Sequence, residues 1–362
     1  MLAFLLSFGL AFGITPAIIW LYKKNDWVDD PEQLTHAKKT HTKAVPRGGG
    51  LVIFISVLIA VLLLLQVDKF LIGILGGALI LACVGVLDDI FDIHPIWRLL
   101  AGLVAGLCVV GTGIGIAYIT NPFSDGVIHL NQPQIALYLF GKQRTIWIIA
   151  DLFALMFITW NMNIVNWSKG VDGQMPGFVG IACLFIGFLS YQFIDDPTQF
   201  NTAHLSFIVS GAFLGYLYWN WYPQKSMPGY GGGSLAGYFL SVLAILSGAK
   251  VATALMVLGI PTADAVFTIL RRLWAGKSPI WGDRGHLHHK LLDVLGWGRR
   301  RIAIFYWLSS LLLGVLSLYL NTTGKIITMI TTFGLVFSFL IWAKVTQNTS
   351  LHQEKNVTKP KK

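Results

Sequence analysis

Charge is scarce in this 362-residue chain: Asp, Glu, Lys and Arg make up 12% of it and apolar residues 55%, whereas a typical soluble domain carries about 25% charged residues. That shortage excludes a soluble globular protein. Cysteine is scarcer still. Cys83, Cys108 and Cys183 all lie inside apolar stretches, which excludes a disulfide framework and a CxxC metal signature. Acidic residues are outnumbered, 17 against 27 basic, for a net charge of +10. An excess of this kind suits nucleic acid, anionic lipid or an anionic substrate, and its distribution along the chain decides among them.

What the sequence has in abundance is long apolar runs. About eleven of them, of roughly the 20 residues a helix needs to cross a bilayer, fall near 2–22, 50–66, 70–88, 97–120, 146–166, 175–194, 203–222, 232–249, 251–272, 302–320 and 324–343. The expected fold is an all-α polytopic membrane protein with a single transmembrane domain over 1–345 and a disordered basic tail over 346–362. The first run lacks a basic leader and a small-residue cleavage site and reads as retained. All of the 27 Lys and Arg except Lys69, Lys142, Arg144, Lys250 and Lys325 fall in one alternate set of loops. Positively charged loops stay in the cytoplasm, so Met1 is expected outside and Lys362 inside. The segment Thr120 to Thr145 suits a surface hairpin. No internal repeat is present, and the basic loops point to anionic headgroups and anionic substrates rather than nucleic acid.

Several polar constellations interrupt this pattern. The third run ends in Asp88-Asp89-Ile-Phe-Asp92, three carboxylates where an apolar helix meets water. Like charges so close are unfavourable unless something cationic sits on them, and carboxylates at membrane depth are usually functional. Hard oxygen ligands suit Mg²⁺ held together with substrate phosphates; a solvated helix end is the alternative. The fifth run leads into Asn163-Ile-Val-Asn166-Trp-Ser-Lys169-Gly170-Val-Asp172-Gly173. The two amides lie one turn apart, and the glycines permit a turn that aims Asp172 at the membrane face; an ordinary helix C-cap is the alternative. Glycines also lead into helices after Lys38-Lys39-Thr-His41 and Pro46-Arg47, and again over Lys225 to Gly233. Both stretches are candidate phosphate contacts. The largest basic loop ends in Asp283-Arg284-Gly-His286-Leu-His288-His289. No fourth ligand stands at a usual zinc spacing, so anion recognition is favoured there over metal. All these constellations fall on one expected face, and carboxylates ringed by basic loops are what phosphoryl transfer requires.

In this arrangement the sequence resembles the polyprenyl-phosphate N-acetylhexosamine-1-phosphate transferase superfamily, and within it the branch that uses UDP-N-acetylglucosamine. The resemblance runs from Asp29 to Leu292 through Asp-Asp-Pro, Lys39-x-His41 and Pro-Arg-Gly-Gly; Asp88-Asp89-x-x-Asp92; Asn163-x-x-Asn166 with Gly-x-Asp172-Gly; Pro223-x-Lys225-x-x-x-Gly229; and Pro261-x-x-Asp264 leading to His286-Leu-His288-His289. It implies transfer of a sugar phosphate from a UDP-amino sugar to polyprenyl (undecaprenyl) phosphate at the cytoplasmic face of the plasma membrane. The reaction would release UMP as the first step of cell-envelope glycan assembly, with Mg²⁺, or Mn²⁺, as cofactor. By the same resemblance Asp88 and Asp89 act on the lipid phosphate and, with Asn166, hold the metal, and Asp172 is catalytic toward nucleotide or sugar. Lys39, His41, Asn163, Lys169, Asp264, Arg284, His286, His288 and His289 fall to substrate binding. A homodimer is compatible with the family. Two residues depart from the pattern. Lys169 stands where the family has the first Asp of Asp-Gly-x-Asp-Gly, and Tyr230 stands where it has a metal-ligating Asp, or Gly231 if the alignment shifts by one. A catalytically silent scaffold or substrate-binding homologue, and a phospho-N-acetylmuramoyl-pentapeptide transferase, are the competing readings.

Overall fold

A computed structural model describes residues 1–30, 44–121, 126–139, 142–193, 195–247, 251–278 and 285–357. Every expected apolar run contains helix. The helices are α1 (Leu2–Lys24), α2 (Gly49–Leu64), α3 (Lys69–Phe91), α4 (Pro95–Val110), α5 (Ile148–Trp167), α6 (Gln174–Tyr191), α7 (Pro197–Asn220), α8 (Gly229–Leu246), α9 (Val251–Val257), α10 (Gly259–Trp274), α11 (Leu287–Asp293), α12 (Arg299–Tyr319) and α13 (Thr322–Val357). Seven of these are long and apolar enough to cross a membrane, or up to eight if the bent pair α9 and α10 counts as one span.

By length and composition alone, seven or eight of the expected eleven runs qualify as spans among the described residues. α2 and α4 are apolar but only 16 residues long, short of the roughly 20 that a bilayer needs. The run at 97–120 stops being helical at Val110, and Tyr118–Thr120 is already strand. The run at 251–272 bends by 80°. Pro261 is the cause: its ring has no N–H to give and would clash with the carbonyl four residues back, at Val257, the last residue of α9. α13 also continues past the boundary expected at 345, to Val357, because no proline interrupts the chain before Pro360.

Three two-stranded antiparallel ladders are present among the described residues. β1 (Val28–Asp29) pairs with β2 (Val45–Pro46), β3 (Tyr118–Thr120) with β4 (Val127–His129), and β5 (Gln134–Leu139) with β6 (Lys142–Trp147). The last two are the hairpins expected between α4 and α5.

Burial runs opposite to that of a soluble protein. On α3, Ile72, Leu79 and Leu87 form one exposed stripe, while Gly77, Ala78, Leu81, Gly85 and Asp88 face inward. α8 is the centre of the molecule, almost wholly buried, with α5, α3, α2, α6 and α7 around it. Small residues make that position possible, since helices in a bilayer associate by close backbone approach. A Cβ on Gly85 would lie 2.6 Å from Gly231 Cα, and one on Gly50 would lie 2.5 Å from Gly232 N. The Gly85→Ala change is expected to push α3 away from α8 at a cost of about 1–3 kcal/mol, read as a lowered thermal unfolding midpoint in detergent.

The same contacts correct one expectation. Gly49 N and Gly50 N donate to Met227 O and Pro228 O at 3.0 and 3.1 Å, so the two glycine-rich helix starts bind one another. Those N–H groups are not turned to a phosphate.

Candidate active site

The C-terminal turn of α3 carries its carboxylates at the negative end of the helix dipole, where anions are disfavoured. Asp92 closes the helix in the left-handed region at φ 46°, its N–H donating to Asp88 O at 2.9 Å; Asp tolerates that conformation better than most residues. The turn leads through His94 and Pro95 into α4 and brings Arg98 back over the helix end. Arg98 Nε lies 2.6 Å from Asp88 Oδ1 and its NH2 lies 2.7 Å from Asp92 Oδ1. Asp88 is 4% exposed. Tyr22, on α1, donates to Asp89 Oδ2 at 3.2 Å.

A second cation arrives from α5. Lys169 follows the C-cap Ser168, and its ammonium donates to Gly229 O at 2.7 Å at the start of α8. Burial pulls its pKa from 10.5 down to about 8; the Asp88 and Asp89 charges oppose that fall, and Arg47 and Arg98 add to it. The sign of the stability effect follows. Below about 8 the ammonium is charged in folded and unfolded chains alike, and between about 8 and 10.5 the unfolded chain holds a proton that the folded chain has released. Stability should rise with pH across that window. The difference in unfolding midpoint between the native protein and Lys169→Met checks this, and should move in favour of the native protein as pH is raised.

Arg47 adds a third cation, pairing with Asp29 at 2.9 Å across the β1–β2 ladder. Burial works against its charge, and Asp29, with Asp89 and Asp92 behind it, more than restores it. Tyr230 completes the arrangement. Its hydroxyl donates to Arg98 O at 2.7 Å and its ring centre lies 5.7 Å from the Arg98 guanidinium. Two buried oxygens beside the start of α8, Asp89 Oδ1 and Asn166 Oδ1, have no hydrogen-bond partner, and a third, Asp88 Oδ1, has only its ion pair with Arg98. The first two sit against the glycines of that start: a Cβ on Gly229 would lie 2.5 Å from Asp89 Oδ1, and one on Gly233 would overlap Asn166 Oδ1.

The histidines form an adjoining cluster. Asp264, 2% exposed on α10, accepts from Leu287 N at 2.8 Å, and its other oxygen lies 3.0 Å from His286 Nδ1. That pairing fixes the His286 ring through its Nδ1. His286 and His288 are parallel at 5.8 Å between ring centres, and Trp167 lies 6.4 Å from His286. His288 packs so closely on Gly170 that any side chain there would overlap its ring. Burial first, and its two histidine neighbours second, push the His288 pKa well below the usual imidazole range. Its ring packs against the turn beside Lys169, and burial works against a charge on it. Asp264→Ala removes two buried acceptor contacts and should cost about 2–3 kcal/mol, again read as a lowered unfolding midpoint.

Asp172 is buried, accepts from Gln224 N at 3.2 Å and lies 3.8 Å from Arg299 NH1. Asn220 receives the neighbouring Gly173 N–H at 3.0 Å, so the Gly-x-Asp-Gly turn is tied to the α7–α8 connection. Asn163 uses its amide N–H on Thr159 O at 2.8 Å, one turn back on its own helix. Lys39, His41 and Arg284 lie outside the described residues. Sequence reasoning missed Arg98, Tyr22, Asn220 and Arg299; only Arg98 had a signal, a lone cation six residues after Asp92 in an otherwise apolar stretch.

Comparison with known proteins gives this cluster a context. Residues 71–248, which contain Asp88, Asp89, Arg98, Asn166, Lys169 and Tyr230, match the model of glycosyl transferase family 4. The phospho-N-acetylmuramoyl-pentapeptide-transferase of Thermodesulfovibrio yellowstonii is 30% identical over 351 residues, 88% of this chain and 91% of that protein. The chain belongs to glycosyl transferase family 4. The probable undecaprenyl-phosphate N-acetylglucosaminyl 1-phosphate transferase of Bacillus subtilis is 28% identical over 95% of this chain and 91% of its own length. The decaprenyl-phosphate N-acetylglucosaminephosphotransferase of Mycolicibacterium smegmatis is 27% identical over 86% of this chain and 82% of its own. The superfamily expected from the motifs is thus the one found.

The metal expected of a family 4 site can be tested on these residues. In favour stand the unpartnered Asp89 Oδ1 and Asn166 Oδ1. Against it, Asp88 is held by Arg98, the Lys169 charge lies on Asp88 and Asp89, and Tyr230 turns its hydroxyl to a backbone carbonyl. Among the described residues no group of three or more His, Cys, Asp or Glu is placed to hold a metal ion. Mg²⁺ is held by one or two free carboxylates with waters and substrate phosphates, whereas here Arg98 lies on Asp88 at 2.6 Å, Arg47 pairs with Asp29 at 2.9 Å and the Lys169 ammonium sits on Gly229 O, so cations already meet the acidic charge. The residues present do not fit a Mg²⁺ ion held by Asp88, Asp89 and Asn166.

Proposed function

We propose that this family 4 protein transfers N-acetylhexosamine-1-phosphate, most consistently N-acetylglucosamine-1-phosphate, from a UDP-sugar to polyprenyl phosphate, releasing UMP. The observation that carries the reading is the meeting of Asp88 and Asp89 with Arg98, Lys169 and Arg47 where the ends of α1, α3 and α5 meet the starts of α2, α4 and α8. Paired carboxylates among fixed cations can orient an incoming phosphate and neutralise a departing one. The names of the Bacillus and Mycolicibacterium relatives specify the same sugar and a polyprenyl acceptor. The Thermodesulfovibrio relative supports the pentapeptide-linked donor as the second reading.

The distribution of Lys and Arg supports a site facing the cytoplasm, with Met1 outside, in the plasma membrane. The exposed apolar stripe of α3 suits the polyprenyl chain of the lipid acceptor as well as bulk lipid. Transfer of radiolabelled sugar phosphate from UDP-N-acetylglucosamine into the lipid phase tests the reading, with Asp88→Asn as control. Label that enters lipid with the native protein and not with the variant is the expected result. Label entering only from the UDP-linked muramoyl pentapeptide would select the second reading, and folded protein that accepts neither donor would leave the silent scaffold.

A further inference from the structure

Lys169 and Tyr230 look like two separate losses when read as sequence, each replacing an acidic residue of the family pattern. In the structure they border the same pair of carboxylates. Lys169 places its ammonium on Gly229 O at 2.7 Å, and a Cβ on Gly229 would lie 2.5 Å from Asp89 Oδ1. Tyr230 binds the Arg98 backbone carbonyl through its hydroxyl and faces the guanidinium with its ring, and it is Arg98 that pairs with Asp88 and Asp92. One replacement supplies a cation and the other holds a cation in place.

A lone charge reversal in a buried acidic site would leave an uncompensated group, which is strongly destabilising. Here the reversal is matched by a neighbour that positions a second cation. An ammonium also offers three donors; Lys169 spends one on Gly229 O, and the two unpartnered acceptors, Asp89 Oδ1 and Asn166 Oδ1, flank the same helix start.

We infer that this centre works without a resident divalent ion: the Lys169 ammonium, together with the Arg98 guanidinium positioned by Tyr230, carries the positive charge that a metal would otherwise bring to the phosphates. The inference rests on the transferase reading for its reaction. In that reaction an oxygen of the lipid phosphate forms a bond to the phosphorus bearing the sugar. The bond from that phosphorus to the bridging diphosphate oxygen breaks, and UMP leaves with the electron pair. Lys169 and Arg98 neutralise the charge that gathers on the transferring phosphoryl oxygens and on UMP. Tyr230 is a positioning residue, acting through Arg98.

The test joins a binding measurement to an activity measurement on the full chain in detergent. Mn²⁺ titration followed by electron paramagnetic resonance reads metal binding whether or not the protein turns over. The native protein should bind no stoichiometric Mn²⁺, and UMP release in EDTA should stay within about threefold of that in Mg²⁺. The double variant Lys169→Asp with Tyr230→Asp should gain a stoichiometric Mn²⁺ site and depend on added metal. Stoichiometric Mn²⁺ on the native protein, or UMP release that EDTA abolishes, would overturn the inference, whatever the folding of the variant. Absence of UMP release under every condition would instead count against the transferase reading, and the Mn²⁺ titration would still decide the metal question.

Discussion

Asp89→Asn is expected to lower lipid-dependent UMP release by about 10²–10⁴-fold, the range for loss of a positioned acid or base, with little change in the fold. Asp88 and Asp89 are adjacent, but their surroundings separate their work. Asp88 is held by Arg98 at 2.6 Å, so its charge serves to anchor that cation at the end of α3. Asp89 takes a single hydrogen bond, from Tyr22, and keeps a second oxygen buried and unpartnered against Gly229. A buried acceptor with no partner costs about 1–3 kcal/mol, and such a cost is tolerated where a ligand's donor completes the site. Asparagine keeps the shape and the bond from Tyr22 while removing the charge. Turnover that is unchanged in Asp89→Asn would move the role to Asp88.

Lys169→Met is expected to lower kcat/KM by about 10²–10³-fold, as loss of one preorganised charge at a developing anion does. Its effect on stability should be far smaller, because Arg47 and Arg98 remain beside the carboxylates. Lys169→Arg keeps the charge and should recover part of the activity. The proper measurement is kcat and KM for the UDP-sugar determined separately: a role on the transferring phosphate predicts a fall in kcat. A change in KM alone would make Lys169 a ground-state binding group.

Much of the architecture was legible in the sequence because apolar runs report membrane helices directly. All eleven runs contain helix, and the described residues between α4 and α5 form antiparallel ladders. The errors came from features that length and hydropathy do not weigh. Pro261 breaks one run by 80°, and α2 and α4 stop at 16 residues. The site was legible in part. The Asp88-Asp89 pair and the histidines were found by their chemistry, Lys169 and Asp264 through the family resemblance, and the structure joins them in two adjoining clusters. Arg98 was passed over because one arginine near a helix start looks like an ordinary topogenic charge. The N–H groups of Gly49 and Gly50 were candidate phosphate contacts and instead donate to Met227 O and Pro228 O, since sequence cannot show that one backbone is the partner of another. The packing of His288 on Gly170 was not legible for a related reason, since it is a tertiary contact.

The central claim is that the carboxylates of α3 and the cations around them form a phosphoryl-transfer centre, and UMP release tests it most directly. Purified protein with polyprenyl phosphate and a small panel of UDP-amino sugars should release UMP only when lipid is present, from one preferred sugar, and not when Asp89 is Asn. Folded protein that releases no UMP from any sugar, or releases it equally with and without lipid, would contradict the account.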